Sequence, residues 1–360
     1  MGKVLTPKEI DELPTILEVV EQISAMENHT MLQMASTIPT IQFYDEGRYS
    51  FVSDSKNHNI VRLMPVSQTP FLYFRGQSRY YDPCVPTLYR GKKKGELPPE
   101  EDVAGNRIKI CEFAMLLNTH PVFFEVSRNT QVDAVALAQH YGLPTEYLDL
   151  TNSKWVAAFF ASTRYDSATD TYYPVGRDYK EGYGVMYVTN TAGHKFPEEF
   201  FEKNQVIGYQ YFERPSKQSS FGFKMDKGED FNNNPFFDKV FFKHDIETST
   251  IVYNMAYRQN RFVPKDELSK LARKIAESKE VTRMALFHCW QVYYQDKDPA
   301  YLDEVCAKKG WKVREDAPQI VKFDDAVLAA DWKKWNEFGR EDLKSRFLPL
   351  IAVTSVPYNN

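Results

Sequence analysis

The sequence predicts an α+β fold: a central mixed β-sheet flanked by helices, with a helical arm at the N-terminus and a helical region at the C-terminus. Three observations carry that prediction. Short aromatic or alternating runs recur between residues 41 and 260, apolar residues at helical spacing flank them, and residues 137–161 join a stopped helix to a run that is apolar on every side. Into and through the start of that last stretch Ala134, Val135, Leu137, Ala138 and Tyr141 recur at helical spacing. Gly142 then stands where a helix takes a left-handed terminal residue, and Pro144 bars continuation. The run WVAAFFA at 155–161 reads as a helix buried all round. A turn held between two such helices is expected to keep Gln139, His140, Thr145, Glu146, Asp149, Thr151 and Asn152 in fixed places, as a site requires of its scaffold.

With 42% hydrophobic residues in 360, the chain can bury one sizeable core and a second unit. The 25 Phe and 22 Tyr, against 5 Trp, indicate aromatic packing and, after it, ring-lined pockets. A net charge of −4 gives no general attraction to nucleic acid or to anionic membrane, so neither is expected as a partner. Cys84, Cys111, Cys289 and Cys306 are scattered, with no CxxC pair. Neither a metal nor a disulfide framework is expected, and reduced thiols fit a cytoplasmic protein. No apolar run approaches the length of a membrane span, and no basic stretch followed by an apolar one marks a secretory signal. GxSxG, HExxH and an EF-hand loop are absent, and Gly91-Lys92-Lys93-Lys94-Gly95 lacks the Walker A pattern.

In chain order, Thr6 and Pro7 read as the start of a helix carrying Ile10, Leu13, Ile16, Leu17, Val20 and Ile23, broken near Pro14. This makes residues 1–40 an arm. Residues 41–65 alternate around Asp45-Glu46-Gly47 and predict a hairpin. Phe71 to Phe74 predict a buried strand ending on Arg75-Gly76-Gln77. Residues 100–119 predict a helix, and another enters the central stretch from about Thr130. Residues 163–181 are polar and Tyr-rich and predict an exposed excursion, while 182–189 predict a buried strand. Residues 194–204 predict a helix, 207–212 a strand, and 239–254 one or two more strands. The polar segment from Glu213 to Phe223 offers a second site rim. After residue 260 helical spacing prevails, so the expected division is 1–40, 41–260 and 261–360.

An arginine at a strand end beside glycine has two readings. Gly76 would let a ligand approach the backbone while the guanidinium offers forked donors to a phosphate or carboxylate; alternatively Arg75 ties to a buried carboxylate such as Asp149. Asp149 lies between Leu148 and Leu150, so it is expected to be buried and paired, with Arg75 or Arg90 as partner. Thr151 can cap the following helix or face a ligand. His140 can meet its own helix terminus or serve in proton transfer.

These residues resemble the FRG domain family. The resemblance rests on Phe74-Arg75-Gly76-Gln77, on Pro86-Thr87-Leu88-Tyr89-Arg90, on Gln139-His140-Tyr141-Gly142-Leu143-Pro144-Thr145, and on Leu148-Asp149, Thr151 and Phe159-Phe160-Ala161. Arg214-Pro215 to Gln218 fits less distinctly. The pattern covers roughly residues 70–225, with Glu146 and Leu150 standing where the family usually has arginine and an aromatic. Such domains occur in bacteria and phages, in settings suggestive of phage defence, and their pattern is similar to the ADP-ribosyltransferase fold. The resemblance implies a defence or toxin-type effector acting on NAD or a related nucleotide. His140, Asp149, Glu146 and Gln218 would be its catalytic residues, with Gln218, Glu213 or Glu146 in the third position of that fold, a carboxylate or amide that follows an arginine and a hydroxyl residue. Arg75, Gly76, Gln77, Arg90, Gln139, Thr145, Thr151, Asn152 and Arg214 would bind the ligand. The alternative is a non-catalytic sensor for a nucleotide or other anion, its C-terminal helices contacting a protein partner.

Overall fold

A reciprocal cap starts the first helix. The Thr6 hydroxyl accepts from the Glu9 amide at 3.3 Å, and the Glu9 carboxylate accepts from the Thr6 amide at 2.8 Å, which fixes α1 (Pro7–Asp11). Beyond Pro14, α2 (Ile16–Thr37) places Ile16, Val19, Val20 and Ile23 in the core. The structure, a computed structural model, describes residues 5–37, 49–53, 61–65, 72–128, 130–189 and 198–346. The hairpin turn read at Asp45-Glu46-Gly47 lies outside those residues. The antiparallel pair that is described is β1 (Tyr49–Ser53) with β2 (Val61–Pro65), joined through 54–60.

Eight further strands follow up to residue 243: β3 (Phe74–Gln77), β4 (Tyr147–Thr151), β5 (Thr163–Asp166), β6 (Thr171–Pro174), β7 (Tyr183–Thr189), β8 (Asn204–Val206), β9 (Ser220–Lys224) and β10 (Phe237–Lys243). Six of them form one sheet in the order β10-β7-β3-β4-β9-β8. Every ladder in it is antiparallel, so the sheet expected as mixed is not mixed. The reason lies in the connections: α3 (Glu100–Leu117), α4 (Pro121–Ser127) and α5 (Ala134–His140) return the chain to the end of the sheet where β3 finished, so β4 must run the other way.

The central stretch differs from expectation in its middle. Gly142, at φ +83°, does end α5. The residues after it are no turn but β4, an interior strand between β3 and β9, and α6 (Lys154–Ser162) follows directly. Leu148 and Leu150 point into an aromatic cluster with Tyr187, Phe221, Phe223 and Phe231, which leaves Asp149 on the opposite face. The α6 helix packs on β3 with Phe74, Met186 and Val188, and with α2. At Gly76 the approach is so close that a Cβ would stand 1.8 Å from the Ala157 carbonyl oxygen. Glycine is needed there for helix-on-strand packing.

The remaining elements include two corrections. The predicted strand at 207–212 is irregular; the strand is β8, directly after α7 (Glu198–Lys203). After α8 (Glu213–Lys217), β9 and β10 comes α9 (Ile246–Met255), where Ile251 and Tyr253 were expected on a strand. The Asp245 side chain accepts from the Thr248 amide at 2.8 Å and starts that helix, and Val252 anchors it in the core. The C-terminal helices follow as expected: α10 (Glu267–Glu277), α11 (Arg283–Tyr293), α12 (Tyr301–Lys308), α13 (Asp325–Lys334) and α14 (Arg340–Ser345). Two short strands, β11 (Glu280–Thr282) and β12 (Lys312–Arg314), pair in parallel beside them. Leu268, Leu271 and Ile275 of α10 share one core cluster with Phe113 and Leu137. Among the described residues no helix is long and apolar enough to cross a membrane.

Candidate functional site

Strands β3 and β4 pair at a single rung, Phe74 opposite Thr151. Past that rung they part, and a cavity of about 890 Å³ occupies the split. The Arg75 side chain crosses the gap: Nη1 donates to the backbone carbonyl of Asp149 at 2.8 Å, where a sheet neighbour would have supplied a main-chain donor. The expected partnership of these two residues is thus real in position and different in chemistry, because Arg75 holds the Asp149 backbone and leaves the carboxylate free to bond elsewhere.

That carboxylate is not buried, as had been expected; its side chain is 43% exposed and lines the cavity. Gln139 Nε2 donates to Oδ2 at 3.4 Å, and His140 Nε2 faces Oδ1 at 3.4 Å. Both partners come from the last turn of α5. Thr145 holds Gln139 in turn, its hydroxyl donating to Oε1 at 2.8 Å. On the far side of the imidazole, Nδ1 lies 3.0 Å from Gln218 Oε1, and Gln218 Nε2 donates to the Phe262 carbonyl at 2.9 Å. That last bond orients the amide, so Nδ1 must carry the proton that Gln218 Oε1 accepts. A neutral imidazole would then turn a lone pair toward the Asp149 carboxylate. Nε2 and Oδ1 face each other at 3.4 Å without a hydrogen bond between them.

Of the residues named from the sequence, Arg75, Gly76, Gln77, Arg90, Gln139, His140, Asp149, Thr151, Arg214 and Gln218 line this cavity, whereas Thr145, Glu146 and Asn152 do not. Thr151 donates to the Gln218 carbonyl at 2.6 Å and accepts from the Ser153 amide at 3.0 Å; that amide belongs to the residue before α6, so Thr151 holds the approach to the helix and does not cap it. Arg214 donates to the His140 carbonyl at 3.1 Å and to Ser269 Oγ at 2.9 Å, closing the end of α5. Arg90 donates from Nε to the Val85 carbonyl at 3.0 Å. It is exposed overall, yet desolvation at its guanidinium, and then the neighbouring Arg75 charge, lower its pKa.

Glu146 is 6% exposed, and its charge is felt at Tyr89 and Arg107 on the α3 side. Along extended backbone it has the parity of Leu148 and Leu150, not that of Asp149. Asn152 donates to the Pro65 carbonyl at 3.4 Å, outside the cavity.

Several lining residues were not anticipated. The predicted excursion is in fact the β5–β6 hairpin, and Arg164, Tyr165, Asp170 and Tyr172 from it wall the cavity. Asp170 reaches Lys265 at 3.5 Å and Arg273 at 3.0 Å, tying the hairpin to the start of α10 and its neighbourhood. Partial burial opposes ionisation of Asp170, but the Tyr165 hydrogen bond and the Lys265 and Arg273 charges hold its pKa below the usual carboxylate value. The sequence carried a signal for this hairpin: TRYD and TYYP are both rich in β-formers and bracket a polar turn. In all, six arginines and lysines line the cavity (Arg75, Arg90, Arg164, Arg214, Lys265 and Arg273) against three carboxylates (Asp149, Asp170 and Glu277). A chain of negative net charge therefore concentrates positive charge at this one place. Among the described residues no group of three or more His, Cys, Asp or Glu is placed to hold a metal ion.

With this geometry in hand, comparison with known proteins gives one positive result: the FRG domain family matches residues 71–170. That span includes Arg75, Arg90, His140, Asp149, Thr151 and the hairpin as far as Asp170; Arg214, Gln218 and the α10 residues come from beyond it. No curated protein and no solved structure matches the chain significantly.

Proposed function

We propose that this chain, which carries an FRG domain, binds NAD or a related nucleotide in the cavity between β3 and β4 and acts on it in the manner of an ADP-ribosyltransferase. The observation that supports this most is the company kept by Arg75 and Asp149: they line one cavity of about 890 Å³, in the size range of cofactor sites, with twice as many cationic as acidic residues around them. Arg75 and Arg90 would take the diphosphate, since forked guanidinium donors match phosphate oxygens. Phe160 and Tyr172 supply ring faces for a base.

Transfer breaks the bond from ribose C1′ to the nicotinamide nitrogen. The electron pair leaves with neutral nicotinamide, positive charge grows on the ribose, and the acceptor's nucleophile bonds to C1′ and loses its proton. Asp149, bonded by Gln139 and facing His140, is a carboxylate at the cavity wall where that positive charge can be stabilised. His140 is the group that could take the acceptor's proton. A role as a defence or toxin-type effector rests on the family resemblance alone.

A second reading, a non-catalytic sensor of nucleotides or other anions, has one observation in its favour. Gln218 is fully engaged with His140 and Phe262, and Glu146 is outside the cavity, so neither fills the third position of a transferase site. Incubation of the purified protein with NAD, with nicotinamide release followed alongside calorimetric binding, separates the two. Under the first reading Arg75→Ala weakens NAD binding about tenfold or more, as expected for loss of a charged hydrogen-bond donor. Asp149→Asn retains binding and loses release. Saturable binding that Arg75→Ala weakens to the same degree, with no release by the unaltered protein, supports the sensor. Absence of binding overturns both.

A further inference from the structure

A second cavity, of about 830 Å³, opens on the other side of α8 from the first. The wall between them is one strand of chain, for Ser219 lines the second cavity while Gln218 and Ser220 line the first. Trp155, Tyr209, Tyr211, Phe262, Trp335 and Phe338 are among its lining residues and give part of the wall an aromatic surface. Rings alone would mark only loose packing, but two polar features do not fit that account. Gln210 lines the cavity at 2% exposure, and its Nε2 has no hydrogen-bond partner among the described residues. A buried amide donor left unpaired is destabilising, and an acceptor on a ligand would satisfy it. At the rim, Lys217 and Lys334 are exposed and make no ion pair among the described residues, although acidic side chains are plentiful in this chain.

The backbone here is also specialised. Trp335–Gly339 forms a π-helical turn, a device often found at functional sites. A Cβ at Gly339 would lie 2.4 Å from the Trp335 ring, so the indole rests directly on the turn and cannot swing toward it. On the opposite wall Ser219 holds a φ of +46°, a left-handed conformation that costs energy in a residue other than glycine.

We propose that this cavity is a second ligand site, distinct from the one lined by Arg75 and Asp149, and that it takes a nucleotide. The base lies among the rings, which tolerate any planar heterocycle. A carbonyl or ring nitrogen of the base accepts from Gln210 Nε2. The phosphates meet Lys217 and Lys334, whose ammonium groups act as mobile point charges at the solvent edge.

Trp155 and Trp335 are two of five tryptophans, so ligand entry is read from tryptophan fluorescence, with calorimetry as the second measurement. ADP is titrated into the full chain and into Arg75→Ala, which weakens the first site about tenfold or more. Arg75→Ala is expected to keep one ADP site that quenches tryptophan emission. In that background Gln210→Leu, and separately the double change Lys217→Ala with Lys334→Ala, each weaken ADP binding about tenfold or more. Adenosine still quenches but binds more weakly than ADP, and inorganic pyrophosphate does not quench. The lysines are exposed, so the double variant folds even where Gln210→Leu does not, as circular dichroism will verify. No quenching by ADP in Arg75→Ala, or ADP binding unchanged by the double lysine variant, overturns the proposal.

Discussion

Replacing Gly76 by alanine should dislodge α6 from the sheet. An added Cβ would stand 1.8 Å from the Ala157 carbonyl oxygen, 2.7 Å from its carbon and 3.0 Å from the Ala161 Cβ. Two of these three atoms are helix backbone, so no side-chain rotamer relieves the contact, and the helix must retreat by more than about 1 Å to reach ordinary van der Waals distance. Neither side has room to give: Phe74 and Phe159 are fully buried, and Gly76 is fixed in register opposite Met186. Overpacking a core costs about 1–3 kcal/mol, and more when backbone has to shift. We therefore expect a loss of at least about 3 kcal/mol, which lowers the urea midpoint by roughly 1 M at an m-value of about 3 kcal/mol/M. Gly142→Ala is the control. That residue sits at φ +83° with nothing within 4 Å of its would-be Cβ, so only the left-handed backbone is penalised, by about 1–2 kcal/mol. Ala157→Gly should not rescue Gly76→Ala, since the clash is with the carbonyl. A Gly76→Ala midpoint equal to that of the unaltered protein, or a larger loss in Gly142→Ala, would refute the reasoning.

Two further outcomes test the surroundings of the site. Asp170→Asn removes the charge that ties the β5–β6 hairpin to Lys265 and Arg273. Because Asp170 is 43% exposed, the stability change should stay below about 1 kcal/mol, while nucleotide dissociation followed by stopped flow should quicken several-fold; an unchanged rate would show that the hairpin does not retain ligand. His120 and His244 are 1% and 2% exposed, and burial pushes both pKa values below the ordinary histidine range. Below about pH 6.5 the unfolded chain therefore binds protons that the native state does not, so stability is complete above that pH and declines as the pH falls. The melting temperature should drop between pH 7.5 and 5.5, and His244→Gln, which can still donate to the Ser78 carbonyl, should lessen the drop; an equal drop in both proteins would contradict this.

Legibility of the chain followed the range of the forces involved. Helix ends marked by short-range chemistry stand where the sequence puts them: Thr6 with Glu9, and Gly142 before Pro144. So do the amphipathic helices after residue 260, whose apolar spacing is periodic, and β7, whose residues are all buried. Asp245 is the same kind of signal, but its β-branched neighbours carry strand propensity, so the local pattern points to a strand where α9 forms. The β4 segment could not be told from a turn, because its five residues acquire their strand character from β3 and β9 on either side.

The sequence by itself determined the match to the FRG domain family over residues 71–170, the α+β class and ten of the residues that line the cavity, because the order and identity of those residues are the local record of the site. Tertiary structure alone decided what each does there. The single rung between β3 and β4 opens the cavity and gives Arg75 a carbonyl rather than a carboxylate. Strand parity turns Glu146 away from the cavity while it turns Asp149 toward His140. Lys265 and Arg273 join a site whose central strand lies far from them in the chain. Such pairings depend on which backbones are neighbours in space, and spacing along a single chain does not encode that.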